Sequence, residues 1–456
     1  MRIILQILGR LNYDEVTFDI DGDQIRDRLS SRALARKLGN SEIIFLCPES
    51  LVTELTNNEN EAGGLLSEKN KLIDKMHKNL ATNGYCRILL MQSIGTYGRK
   101  DLSISFSNTA DNIIVSLILD LLEEVQNCDE VILDVSTGHN VYVASLMDAA
   151  RALIVYFKLA RIISKGEMPT FKVAYFPPVI EPSGGATYPI RFYDFDVKAF
   201  FSLPFEDETL KIERLLKNCE DIELRKELNS KFEDLGRSLR DLIVETKIAY
   251  NAIKYNAPLA YFDDELVSFD IECEDVLEGM RDVFEYITEV KKMVIRCENE
   301  LTVKRASVER KSFINLLLTI ALHNALKEFK EDLSNKDPII STIKKDFKNL
   351  YSRVGLNLNL RFLERDLEEI KSLLSFLIEG KETSINELNR CRFKEYRKIE
   401  VSKHLKRRKG DIKRNFFAHS GFEETVTLVR KIGKNEALIR YKPERKSEIR
   451  RWIKNP

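Results

Sequence analysis

With 456 residues, 43% of them hydrophobic, the chain is large enough for two or three separate cores, and it has no apolar run of about 18 residues that would cross a membrane as a helix. Seven scattered cysteines without a CxxC pair argue against a disulfide framework or a zinc site and lead us to expect free thiols in a reducing cytoplasm. The net charge of zero hides an asymmetry: residues 390–456 carry 22 Lys and Arg against 8 Asp and Glu, a surplus of 14, which reads as a footprint for a polyanion, with a solvated helical face as the bland alternative.

The N-terminal MRIILQILGR reads as a first strand, Arg2–Leu8, ending at Gly9, and not as a signal peptide. Four more short apolar runs follow: Ile43–Leu46, Arg87–Met91, Val131–Asp134 and Phe171–Tyr175. Helical patterns, including Asn112–Val125 and Val141–Ile163, lie between them, so a parallel sheet covered on both faces is expected. Ligands of such sheets bind outside the carboxyl ends of the strands. Four of those ends carry small or polar residues: Gly9-Arg10, Glu49-Ser50, Ser93 to Tyr97, and Ser136 to Asn140. Together they could line one crevice.

The period changes after about Phe201. Apolar residues recur at helical spacing through Leu235, Leu239, Leu242 and Ile243, then Ile314 to Ala325, then Leu363 to Leu377, with Gly380 as a C-terminal stop. The end differs: Val426–Ile432 and Glu436–Tyr441 alternate around Gly433-Lys434-Asn435, which predicts a β-hairpin. The expected architecture is an α/β Rossmann-like domain over residues 1–200 and a mainly α domain with a terminal β-hairpin over 201–456.

Two segments could carry chemistry. Asp134-Val-Ser-Thr-Gly-His-Asn140 places a small-residue turn where a strand meets a helix, so backbone N–H groups and the helix dipole can meet a phosphate or ribose. It is neither a P-loop nor a GxGxxG fingerprint, and a helix cap that binds nothing is the alternative. Arg414-Asn-Phe-Phe-Ala-His419 has the services that metal-independent RNA cleavage needs. His419 can move a proton near neutrality, Arg414 can grip phosphate oxygens, and Asn415 can orient the pair. Phe416 and Phe417 would anchor the segment. The products would be a 2′,3′-cyclic phosphate and a 5′-hydroxyl. Short Arg/His spacings also arise by chance, as in Arg397/His404, which reads as a basic helix face. Five residues turn a helix by about 500°, or 140° net. Arg414 and His419 therefore need either a helix that begins inside the motif or a second copy of the chain to complete the site. His323, inside an apolar helix, is expected to be a core histidine. No residue set has metal-ligand spacing.

A D-x-[ST]-x-G-x-N turn in an N-terminal α/β half, followed by R-x4–6-H near the end of a helical half, resembles the CARF–HEPN ribonucleases, ancillary effectors of type III CRISPR systems, and among them the Csx-one branch. The resemblance implies a dimer that binds cyclic oligoadenylate, cyclic tetra-adenylate being the family's guide, across its two-fold axis. The bound ring would activate cutting of single-stranded RNA without a cofactor or metal. It places Asp134, Ser136, Thr137, Gly138, His139 and Asn140 in the activator pocket, with Gly9, Arg10, Ser50, Thr96 and Tyr97 on loops facing it. It makes Arg414, Asn415 and His419 catalytic. One departure is visible: where many members have His before the motif glycine, this chain has Thr137, and its histidine follows at His139. A nucleotide-responsive transcriptional regulator that holds nucleic acid through the basic region and hairpin, without catalysis, is the competing reading.

Overall fold

The computed structural model describes residues 1–80, 86–99, 102–164, 166–176, 187–217, 221–297, 300–396 and 411–456. The apolar, β-branched first run forms β1 (Arg2–Ile7), and the hairpin β2 (Val16–Ile20) and β3 (Asp23–Asp27) follows it. Next come β4 (Ser41–Pro48), β5 (Cys86–Met91), a second hairpin of β6 (Gly95–Arg99) and β7 (Leu102–Ser107), then β8 (Glu130–Asp134), β9 (Thr170–Tyr175) and β10 (Thr187–Asp194). Eight of these order as β3-β2-β10-β9-β8-β1-β4-β5. The five expected runs are β1, β4, β5, β8 and β9, and they are mutually parallel, with Ile4 registered on Ile43 and on Ile132. The sheet is not parallel throughout: β10 runs antiparallel to β9, and the β2–β3 hairpin extends that edge.

Alternation along β1 serves two cores. Ile3, Leu5 and Ile7 join the helices Ala110–Val125 and Asn140–Ala160 on one face, while Ile4 and Leu8 meet Ala33, Leu34 and Met76 on the other. Burial on both faces is why these strands read as continuous apolar runs.

The second half is mainly helical, as expected, but it also returns to the sheet region. Strands β11 (Met293–Cys297) and β12 (Glu300–Lys304) form a hairpin, and β12 runs parallel to β7, giving a four-stranded sheet β11-β12-β7-β6. The next helix, Arg310–Glu331, joins two cores. Its first half puts Phe313, Leu316 and Leu317 against the sheet's helices, and its second half puts Leu322, Ala325 and Leu326 into a C-terminal core with Phe347, Phe416 and Ile439. That core also receives the helices Ile340–Arg353 and Asn357–Leu373. The expected hairpin is present as β14 (Thr427–Lys431) and β15 (Ala437–Tyr441), and β13 (Glu382–Ser384) pairs with it. Gly380 is not the helix stop. The helix ends at Leu373 and a 3-10 turn carries the chain to Phe376. Gly380, at φ 77°, shapes the turn into β13.

Candidate functional site

Strand order decides the first site. Because β8, β1, β4 and β5 are neighbours and parallel, their four small, polar ends lie side by side. The turn after β8 rests on β1. Thr137 Oγ1 donates to the Ile7 carbonyl (2.6 Å) and accepts from Gln6 Nε2 (3.1 Å). Gly138 has φ 99°, and a Cβ there would stand 2.6 Å from Ile7 Cγ2. Gly9 faces it, since a methyl on Gly9 would lie 3.3 Å from Gly138 Cα. At 138 both the left-handed φ and the contact demand glycine, while a side chain at 9 would have to push the turn away by a few tenths of an ångström.

Asp134 is fully buried beneath this turn, and burial pushes its carboxyl up, against the pull of hydrogen bonds from Ser136 and Ser30. Its Oδ2 accepts from Ser30 Oγ (2.5 Å) and its Oδ1 from Ser136 N (3.1 Å). Asp134 thus braces the turn from below. Ser50 is also buried, its N–H given to Ser93 Oγ (2.8 Å). The N–H groups of Gly9 and Arg10 point to the Tyr13 hydroxyl (3.0 and 3.3 Å), and the Arg10 guanidinium stacks on the Tyr13 ring, 4.7 Å from its centroid. The open surface is formed by Arg10, Thr96, His139 and Asn140, with Tyr97 half-buried. His139 is the N-cap of the helix Asn140–Ala160, and its own side chain makes no capping hydrogen bond. The rings of Tyr97 and Tyr142 flank it at 5.9 and 6.2 Å, and their hydroxyls meet at 2.9 Å.

The second site is a short helix, Ile412–Ala418, started by Asp411, whose side chain accepts from Arg414 N. The helix begins before the motif, not inside it, and it ends inside it: His419 is the C-cap. Phe416 is fully buried against Tyr441 and Trp452, and Phe417 packs on Tyr255. Anchored this way, Arg414, Asn415 and His419 stay exposed. Asn415 and His419, one turn apart, line a cavity of about 270 Å³ with Asp366, Glu369, Asn389, Phe422, Glu423 and Glu424, and Arg414 lies outside that lining. The competing pair Arg397/His404 lies outside the described residues.

After His419 the backbone makes a left-handed turn at Ser420 (φ 50°) and Gly421 (φ 78°), closed by Gly421 N to Phe416 O (2.8 Å). A Cβ on Gly421 would stand 2.8 Å from the Tyr441 hydroxyl. Ser420, a non-glycine in this region, is held by a buried chain. Its Oγ donates to Asp366 Oδ2 (2.6 Å) and accepts from Asn256 Nδ2 (2.8 Å), and Tyr351 donates to Asn256 Oδ1 (2.8 Å). Among the described residues no group of three or more His, Cys, Asp or Glu gathers as a metal site.

Residues 3–176 match the family described as CRISPR system endoribonuclease Csx1, CARF domain, and residues 356–444 match its HEPN domain. The chain belongs to this CARF–HEPN ribonuclease family. No curated protein matches the chain. The CARF match contains all four strand ends, and the HEPN match contains Arg414, Asn415 and His419, so the chain is a CRISPR-associated, ligand-responsive ribonuclease. No helix of the described residues is long and apolar enough to cross a membrane.

Sequence reasoning missed the residues that support both CARF and HEPN sites. Gln6, fully buried, ties Ser30 and Ser31 to Thr137. Its signal was present as one polar residue inside the apolar run Ile3-Ile4-Leu5-Gln6-Ile7. Asn256 and Asp366 act across long stretches of chain and left no local pattern.

Proposed function

We propose that the chain cuts single-stranded RNA when a cyclic oligoadenylate, cyclic tetra-adenylate first among them, occupies the strand-end crevice of a homodimer in type III CRISPR antiviral defence. The observation that carries this reading is the pairing of His419 and Asn415 on one cavity wall, with Arg414 exposed on the same short helix, inside a HEPN domain. His419 takes part in proton transfer as the ribose 2′-oxygen attacks phosphorus and the 5′-oxygen leaves protonated. Arg414 steadies the charge on the phosphorane. The ends formed are a 2′,3′-cyclic phosphate and a 5′-hydroxyl, and no metal is required.

An anionic, adenine-bearing activator suits the crevice. The helix N-terminus at His139 favours phosphate, exposed Arg10 adds charge, and Tyr97 and His139 offer faces for a base. Dimerisation is supported on the HEPN side by Leu358 and Phe362, which are 65% and 46% exposed one turn apart on the helix that lines the His419 cavity. Because Arg414 does not share that cavity, a second copy supplying its own motif would complete the site.

One assay tests the reading: cleavage of labelled single-stranded RNA in EDTA, with and without cyclic tri-, tetra- and hexa-adenylate, by the wild type and His419→Ala. Ring-dependent cleavage lost in His419→Ala, with ring binding retained, is the expected result. Undiminished cleavage by His419→Ala in nuclease-free preparations sinks it, as does tight, sequence-selective duplex binding with no cleavage.

A further inference from the structure

The cavity beside His419 poses an electrostatic problem. Four carboxylates line it, Asp366, Glu369, Glu423 and Glu424, and Arg414 does not. A cation close to that wall would help to hold a polyphosphate strand. Arg365 is not in the lining either, but it binds Asp366, which is, and reaches the carbonyl of Ala418, the residue before His419. It sits on the helix Asn357–Leu373, 54% exposed, with its guanidinium over the Phe362 ring, 5.2 Å from the centroid. Its Nε and Nη2 both donate to Asp366 Oδ1 (2.9 and 2.7 Å), and Nη2 also reaches the Ala418 carbonyl at 3.5 Å. Asp366, itself 4% exposed, gives its other oxygen to Ser420. The guanidinium is therefore tied to the residue before His419 directly and to the residue after it through one carboxylate.

Surface arginines on flexible stems gain little from ion pairing. This one is already ordered by three contacts, so it loses less freedom when it takes a further partner. Its Nη1 has no hydrogen bond to any described residue, which leaves that edge of the fork for an incoming anion.

We propose that Arg365 is a second phosphate-gripping residue of the RNA-cutting site, holding a backbone phosphate of the substrate next to the scissile one. In this scheme Asp366, Ser420 and Asn256 are positioning residues that keep Arg365 and His419 in register. The inference rests on the reading of Arg414–His419 as the RNA-cutting motif.

The test compares wild type, Arg365→Ala, Arg365→Lys and His419→Ala as full-length chains, with cyclic tri-, tetra- or hexa-adenylate added. Binding of labelled single-stranded RNA and kcat/KM are measured over a range of salt. Arg365→Ala lowers kcat/KM about ten- to hundredfold, the loss expected for a charge-assisted hydrogen bond. It also flattens the slope of log affinity against log salt by about 0.7, one phosphate contact on a single strand. Arg365→Lys keeps the salt slope and regains part of the rate. A merely structural arginine would leave the salt slope unchanged and would not distinguish Lys from Ala, and that result overturns the proposal. So does an Arg365→Ala chain within about twofold of wild type while His419→Ala is silent, an outcome that leaves the reading of the motif intact. A wild type that cuts no RNA with any ring, or a fully active His419→Ala, removes the reading and the proposal together.

Discussion

Arg305 Nη2 donates to Glu49 Oε1 at 2.6 Å, joining the end of β12 to the end of β4 through a pair with almost no solvent exposure. Arg305 Nε also reaches Glu289 (3.1 Å), and Glu49 Oε2 accepts from Ser93 N, just past the end of β5 (3.3 Å). Burial opposes the Arg305 charge, but Glu49 and Glu289 outweigh it and hold the guanidinium more firmly protonated than usual. Arg305→Met leaves the buried Glu49 without its cation, while Glu289 keeps Lys292 (2.8 Å), and should cost about 3–5 kcal/mol. Adding Glu49→Gln should recover part of that loss. Urea unfolding of both single variants and the double variant measures this, and a double loss equal to the sum of the two single losses would show that the pair is not coupled.

The Gly9–Gly138 contact gives a second expectation. Gly138→Ala adds a methyl 2.6 Å from Ile7 Cγ2 at φ 99°. Left-handed strain alone is worth about 1–3 kcal/mol. The β8 turn should lift from β1, so binding of cyclic tetra-adenylate should weaken at least tenfold (about 1.4 kcal/mol). Calorimetric titration decides this, and unchanged affinity would mean that the turn does not shape the pocket.

Ser420 separates backbone strain from hydrogen bonding. Ser420→Ala removes a hydroxyl that serves both Asp366 and Asn256, at about 1–3 kcal/mol. Ser420→Gly loses the same bonds but relaxes the left-handed φ, so it should be the more stable of the two by about 1 kcal/mol. Denaturant midpoints should therefore order wild type, Gly, Ala. Cleavage should fall in kcat more than in KM, because His419 loses its orientation while Arg365 keeps both of its bonds to Asp366 and its hold on the strand.

The pH dependence of stability should carry the mark of His323. As expected from sequence it is a core histidine, fully buried, bonded at Nδ1 to Thr246 (3.0 Å). Burial lowers its pKa to about 3, with Lys327 adding to the effect. The unfolded chain then binds the extra proton first, so stability is lost as pH falls from about 6.5 towards 3. Neighbouring Glu245 is raised to about 7, chiefly by burial, and gives the opposite slope between about 4.5 and 7. His323→Leu should therefore gain on the wild type as pH falls below about 6. Glu245→Gln should gain on it as pH rises from about 4.5 to 7. Urea midpoints at pH 5, 6 and 7 read both trends, and curves parallel to wild type would contradict the assignment.

What the sequence made legible follows from range of interaction. The five parallel strands are buried on both faces, so each is an unbroken apolar run that needs no partner to be recognised. The β11–β12 hairpin is not recognisable in this way, because its reason for being a strand is β7, far away in the chain. The four strand ends were readable as polar punctuation. Their inner layer was not, since Ser30, Ser31 and Gln6 act through long-range hydrogen bonds. Arg414 and His419 were visible as residue types. The helix that ends between them depends on Ser420, Asn256 and Asp366, and no local rule connects these three.

The β7–β12 pairing also stitches the chain to itself. A fragment ending near residue 200 would keep the CARF match yet expose the open edge of β7, with Leu102, Ile104 and Phe106 losing Leu301 and Val303 from their core. It would also uncover the face of Ala110–Val125 and Asn140–Ala160 on which Phe313, Leu316 and Leu317 pack. The two halves are thus sewn through one another, and a sensor cut out at that seam would be prone to stick to other chains before it could report on a ligand.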